Sequence, residues 1–125
     1  MEDINQYIKQ WFINPSLDRI PPSFFVIRKS LLKSIDELKP SIRGNVLDLG
    51  CGVMPYKDYL KNPYIESYIG IDIENSLYHN LVKPDIFWDG VNIPLEDSSC
   101  DYVIATEFFE HYYDTAHILS EIKRV

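Results

Sequence analysis

Residues 46–52 read VLDLGCG: an apolar run with an acid at its centre, followed at once by two glycines one residue apart. Val46, Leu47 and Leu49 favour a short buried strand, and Gly50 and Gly52 open backbone conformations that side chains disfavour. A buried strand that ends abruptly in a glycine turn is how an open α/β sheet begins, and such turns lie on the edge where ligands bind. The next residues depart from the usual nucleotide loop. Met54 and Pro55 stand where further glycines are common. Pro55 suits a first helical position, because its missing N–H would have no partner there, and PYKDYLKN is then a short helix ending before Pro63.

The rest of the chain extends the pattern. Residues 1–40 read as two helical pieces broken at NPSLDRIPPS, whose prolines forbid a continuous helix. The second piece starts near Ser23. Phe24, Ile27, Leu31, Ile35 and Leu38 line one face, Arg28, Lys29, Lys33 and Glu37 fall outside it, and Pro40 closes it. Arg43, Gly44 and Asn45 read as a turn before the first strand. SYIGIDI at 67–73, DIFWDG at 85–90 and DYVIAT at 101–106 are three further strands. ENSLYHNLV is a brief helical or irregular connection, short for a crossover, and VNIPLEDSSC is a polar loop. From Glu110 to Val125 a helix is expected, with Ile118, Leu119, Ile122 and Val125 on one face and Glu121 and Lys123 outside it. Strands alternating with helices imply a parallel sheet with helices on both faces.

Composition narrows the ligand. A net charge of −7 argues against a nucleic-acid partner, which needs clustered Lys and Arg, and favours a small molecule. Cys51 and Cys100 have neither C-x-x-C nor His-paired spacing, so no metal site or disulfide framework is expected, which suits a reducing cytoplasm. No apolar run is long enough for a membrane span or a signal core.

A parallel sheet gathers its strand ends on one edge, and here they carry acids. The first strand presents Asp48 before Gly50, Cys51 and Gly52; the second ends in Asp72, the third in Asp89 and Gly90, the fourth in Thr106 and Glu107. A dinucleotide pyrophosphate wants bare backbone N–H groups and no carboxylate nearby. Asp48 lies two residues before the loop and Pro55 takes the third glycine position of G-x-G-x-x-G, and both count against NAD or FAD. S-adenosylmethionine (SAM) carries a sulfonium and an ammonium but no phosphate, and its ribose hydroxyls suit a carboxylate acceptor, so an acidic rim fits it better.

Residues 46–125, about two-thirds of the chain, resemble the N-terminal part of a class I SAM-dependent methyltransferase domain. VLDLGCG resembles the first motif of that family, and IGIDI the second-strand motif, whose acid here is Asp72. WDGVNIPLEDSSCDYVIATEFFEH resembles the stretch with an acid and a small residue near the adenine, a leucine-proline loop, an aspartate opening the fourth strand and a Glu-His pair beginning a helix. Asp101, Glu110 and His111 match these last landmarks, and SEIKRV resembles the helix end that follows. The resemblance implies a Rossmann-like parallel sheet with strand order 3-2-1-4-5-7-6, which this chain would show truncated after its fourth strand and the following helix. Residues 1–40 are expected to form an N-terminal helical cover, and the resemblance implies 41–125 as a SAM-binding Rossmann-like half-domain. The cofactor residues it implies are Asp48, Gly50, Cys51, Gly52, Asp72 on the ribose, Ile73, Asp89 and Gly90 near the adenine, Thr106 and Glu107. Gly50 and Gly52 would make the closest approach, with Met54 a tolerated variant of a third loop glycine.

The implied activity is methyl transfer from SAM to a small-molecule acceptor. A SAM-binding module without transferase activity is the alternative from another class, and an NAD-dependent oxidoreductase the third reading. His111 is a weak candidate for a catalytic base, since a lone histidine at a helix start is more often a structural hydrogen-bonder. Glu107, Glu110 and His111 form no convincing metal set, and His79 and His117 read as surface residues. Phe108, Phe109, Tyr112 and Tyr113 divide between core packing and, with Tyr56, a ring facing the sulfonium. Arg28 reads as a solvated helix-face residue, with the cofactor carboxylate as the other option. The exposed edge of the fourth strand, YVIA, invites pairing with a second copy, so a homodimer is a possible partner state.

Overall fold

The computed structural model describes residues 3–74 and 80–125. The chain divides into two compact units, Met1–Ile42 with Pro55–Lys61, and Arg43–Met54 with Asn62–Val125.

The second unit is built on four strands: β1 (Gly44–Leu49), β2 (Ile65–Ile73), β3 (Ile86–Trp88) and β4 (Tyr102–Ile104). Their order is β3-β2-β1-β4, and every neighbouring pair is parallel. This is an α/β Rossmann-like arrangement, and the order matches the 3-2-1-4 portion of the expected sheet. β1 lies centrally, with Leu47 beside Ile69 on one flank and beside Val103 on the other. Alternation along the strands puts Leu47, Leu49 and Ile71 in one core with Trp88, Ile93, Ile118 and Val125. Ile118 comes from α4 (Thr115–Arg124) and is fully buried, which stabilises by about 1.5–3 kcal/mol relative to exposure.

The strands start earlier or stop sooner than the sequence pattern suggests. Gly44 and Asn45 belong to β1 and are not a turn, although the ladder with β2 is irregular between them. Gly44 is left-handed (φ +73°), and a Cβ there would stand 2.1 Å from a carboxylate oxygen of Asp101. That oxygen accepts the Asn45 N–H at 2.8 Å, so only glycine admits the acid that joins β4 to β1. β3 stops at Trp88, which leaves Asp89 and Gly90 in the following turn. The connection after β2 falls largely on residues 75–79, including His79, and these lie outside the described residues.

The expected helix from Glu110 to Val125 is two elements. A 3-10 turn at Phe109–His111 holds the Glu-His pair, and α4 starts afresh at Thr115. The break follows from Asp114, whose carboxylate caps α4 by accepting the His117 N–H at 3.0 Å. Glu121, read as an outward residue, is buried and accepts the Ile93 N–H at 2.8 Å.

The helical unit contains α1 (Ile4–Ile8), which runs on into a π-helical turn at Lys9–Ile13, and α2 (Pro22–Leu38), closed by a 3-10 turn at Lys39–Ser41. The interruption between the pieces lies where the prolines require it, and Pro22 opens α2 at its first position. The buried face of α2 differs from the expected one. Arg28 and Ile35 are buried, whereas Phe24, Ile27 and Leu38 are exposed. Arg28 is 7% exposed and its guanidinium carbon lies 3.9 Å from the Phe12 ring centroid, so it is a stacked interior cation, contrary to the solvated reading. Helix α3 (Lys57–Leu60) is shorter than PYKDYLKN and begins two residues after Pro55, with Tyr56 at its N-cap. Tyr56 is buried edge-on to Phe12, and Tyr59 donates to Asp36 of α2. Among the described residues no helix is long and apolar enough to cross a membrane.

Candidate functional site

At the carboxyl edge of the sheet the backbone turns left-handed at five residues. Gly50 (φ +67°), Gly52 (φ +50°) and Met54 (φ +50°) alternate in left-handed conformation after β1; Gly90 (φ +78°) follows β3 and Glu107 (φ +52°) follows β4. Of these, Met54 and Glu107 carry the strain, since glycine adopts positive φ freely, and strained residues of this kind gather at binding and catalytic sites. The loop after β1 is tied down at both ends. Gly50 and Cys51 donate their N–H groups to Ile71 O at 2.9 and 3.1 Å, and Met54 N–H returns to Cys51 O at 2.7 Å.

Asp72 stands at the end of β2 and joins this loop directly. Its Oδ2 accepts the Gly52 N–H at 3.1 Å, 20 residues away in sequence, and its Oδ1 accepts the Ile73 N–H at 2.9 Å. Each carboxylate oxygen has capacity for a further donor. The acid is thereby oriented while still able to receive hydroxyls. Ile73 is half exposed, and a Cβ on Gly90 would meet its Cγ2 at 3.7 Å, which brings the ends of β2 and β3 together.

Asp48 is nearly fully buried within β1, two residues before the turn, and accepts the Tyr68 hydroxyl at 2.6 Å. Cys51 is buried too, and its thiol is pushed well above the ordinary range by burial and then by the charges of Asp48, Asp72 and Asp85. It is therefore an apolar filler and a poor nucleophile. Asp89 turns back on its own loop, its Oδ1 accepting Val91 N–H at 2.7 Å and Asn92 N–H at 3.0 Å. Those two bonds hold its carboxyl below the usual range.

An aromatic group backs this edge. Trp88 lies parallel to Tyr112 with centroids 6.4 Å apart, and Phe108 stacks on Tyr112 at 5.3 Å and meets Phe109 edge-on at 5.5 Å. A Cβ on Gly50 would stand 2.6 Å from the Phe108 ring, so the first loop glycine is needed to admit that ring. Tyr112 donates its hydroxyl to Gly90 O, which fixes the turn after β3. Tyr113 is fully exposed and takes no part. Thr106 and Glu107 are half-buried in the turn just before Phe108. His111 is exposed with Glu110 4.0 Å away, and among the described residues no three His, Cys, Asp or Glu side chains could hold a metal ion.

Two features escaped the sequence reading. Gly70 of β2 is one: a Cβ there would stand 2.5 Å from Met54 Sδ and 2.9 Å from Cys51 Sγ. The other is a clamp on the loop between β3 and β4. Arg124 donates from Nε and Nη2 to the Glu121 carboxylate, each at 2.8 Å, and also to Ile93 O, Leu95 O and Asp97. These bonds, led by Arg124, hold the Glu121 carboxyl down at about 2. The Glu-x-x-Arg spacing carried the signal, since residues three apart meet on a helix.

Residues 47–125 match the family model described as a methyltransferase domain. No curated protein and no solved structure matches the chain.

Proposed function

This chain belongs to the class I SAM-dependent methyltransferase domain family, and on that premise we propose that it transfers a methyl group from SAM to a small-molecule acceptor through the carboxyl edge of its sheet. The observation that carries the reading is the hydrogen bond from Gly52 N–H to Asp72. In a dinucleotide site a loop amide of this kind would face a phosphate oxygen; here it faces a carboxylate, which repels phosphate and welcomes hydroxyl donors.

The residues present fit the cofactor. Asp72 would hold the ribose hydroxyls through its remaining lone pairs, and Ile73 and Gly90 would flank the adenine. The loop at 50–54, with Asp48 buried behind it, and the turn at Thr106 and Glu107 would border the methionine end. When bound, SAM supplies an activated methyl group on its sulfonium. The protein's part is to fix donor and acceptor in line and to exclude water, so positioning residues outweigh any proton-transfer residue. The chain's excess of acids favours a neutral or cationic small acceptor over nucleic acid.

Calorimetry with SAM, S-adenosylhomocysteine and NADH tests the reading. Binding of the first two without NADH is the expected result, and NADH binding in preference to both would overturn it. Methyl incorporation into a panel of small amines, hydroxyls and carbon acids then separates a transferase from a module that only binds the cofactor.

A further inference from the structure

Met54 is the one residue of the loop whose conformation opposes its chemistry. Its φ of +50° is freely open to glycine and disfavoured for a side chain. A residue persists in such a conformation when its surroundings over-determine it. Here they do so at two points. The Met54 N–H closes a turn on Cys51 O at 2.7 Å. Its side chain lies over Gly70, with Sδ 2.5 Å and Cγ 3.0 Å from where a Cβ on that glycine would stand. Gly70 sits inside β2, paired with Asp48 of β1, where a side chain would ordinarily cover the sheet. Its missing Cβ leaves a notch, and the thioether fills it beside the Cys51 sulfur.

We propose that Met54 is a positioning residue for the cofactor loop, its thioether seated in the Gly70 notch so that residues 50–54 keep their binding conformation. The side chain acts as an anchor where a third glycine would leave the loop loose. Met54 and Gly70 are therefore a matched pair, and restoring the glycine pattern at position 54 harms the site. The inference rests on reading this loop as the cofactor loop, but its first test needs no ligand.

Amide hydrogen exchange on the free protein provides that test. In Met54→Gly, the Gly52 amide and the amide of residue 54 should exchange about tenfold faster, while those of Leu47 and Leu49 in β1 keep the parent's protection. Met54→Leu refills the notch and should stay within about twofold of the parent, whereas Gly70→Ala expels the side chain and should match Met54→Gly. Combining Met54→Gly with Gly70→Ala should add little, because both remove one contact. Calorimetry with S-adenosylhomocysteine should follow the same order, with about tenfold weaker binding for Met54→Gly. Met54→Gly exchanging at the loop as the parent does would overturn the proposal. A parent chain without affinity for S-adenosylhomocysteine would overturn the reading of the site, and the exchange result would still decide the anchor.

Discussion

Both edges of the sheet are lined with aspartates, and the two sets do different work. At the amino edge the acids stitch strands. Asp101 accepts the Asn45 N–H and donates its own N–H to Asn45 O, each at 2.8 Å. Asp85 does the same to Gly70 of β2, accepting at 2.8 Å and donating at 2.9 Å. Each closes a two-point clasp on the neighbouring strand. At the carboxyl edge the Asp72 and Asp89 side chains accept from the loop amides of Gly52, Val91 and Asn92 and from the Ile73 amide at the end of β2, and neither carboxylate clasps a neighbouring strand. A carboxylate at the start of a strand substitutes for ladder partners that are missing there, whereas one at the end faces the opening where a ligand can enter. The position of an acid along the strand, more than its identity, decides what its carboxylate can reach.

That contrast can be broken by substitution, and the largest effect is expected at Asp72. Asp72→Ala should weaken S-adenosylhomocysteine binding by about a hundredfold, roughly 2.7 kcal/mol, because the charge-assisted bonds proposed to two ribose hydroxyls would be lost. The Gly52 and Ile73 amides also lose their acceptor, so stability should fall by about 1 kcal/mol as well, and unchanged affinity by calorimetry would remove the functional half of the comparison. Asp101→Ala should spare binding. The loss of the carboxylate half of its clasp should lower stability by about 1 kcal/mol in chemical denaturation, with affinity of the folded protein held within about twofold. A variant that binds poorly yet unfolds like the parent would erase the distinction between the edges.

The clamp of Glu121 and Arg124 sharpens the comparison through pH. The folded Glu121 carboxyl lies at about 2, below its ordinary value of 4.5, so its contribution is complete above the ordinary value and is lost as pH falls toward the folded one. Thermal melts of the parent should therefore lose several degrees between about pH 5 and pH 2.5 relative to Glu121→Gln, whose curve should be flatter and lower at neutral pH. Parallel curves would show that ionisation of Glu121 contributes nothing to the clamp. The smallest effect concerns Cys51. Its raised, buried thiol should resist alkylation at neutral pH in the folded protein and react only on unfolding, and rapid labelling of the native chain would contradict its placement behind the loop.

Much of the sheet was legible because strand and loop signals are local. VLDLGCG and SYIGIDI carry apolar residues, and a glycine stop in the first of them, that no distant partner needs to supply. The N-terminal helix shows where such signals fail. Phe24, Ile27 and Leu38 made a regular apolar face with Ile35, yet only Ile35 of these is buried, alongside Arg28, because stacking on Phe12 shelters a guanidinium and spacing along one helix cannot reveal a ring on another. The same limit hid Glu121, which looks solvated until Arg124 and the Ile93 amide are brought to it. The helix start at Glu110 was misplaced because the aromatic run 108–113 fits helical spacing, while the Asp114 cap and the packing of Tyr112 against Trp88 and Gly90 break it.

By itself the sequence determined that acids and glycines would gather at the ends of parallel strands, since alternation, turn chemistry and right-handed crossovers leave few other arrangements. Tertiary structure decided what each of those residues is for. Asp101 became a clasp and Asp72 a loop-bound acceptor. Gly50 serves the Phe108 ring, and Met54 took a glycine's conformation because Gly70 left room beneath it. The physical reason is range: propensity and periodicity act over a few residues, while the space around a side chain and the partners of a charge come from segments that meet only when the chain has folded.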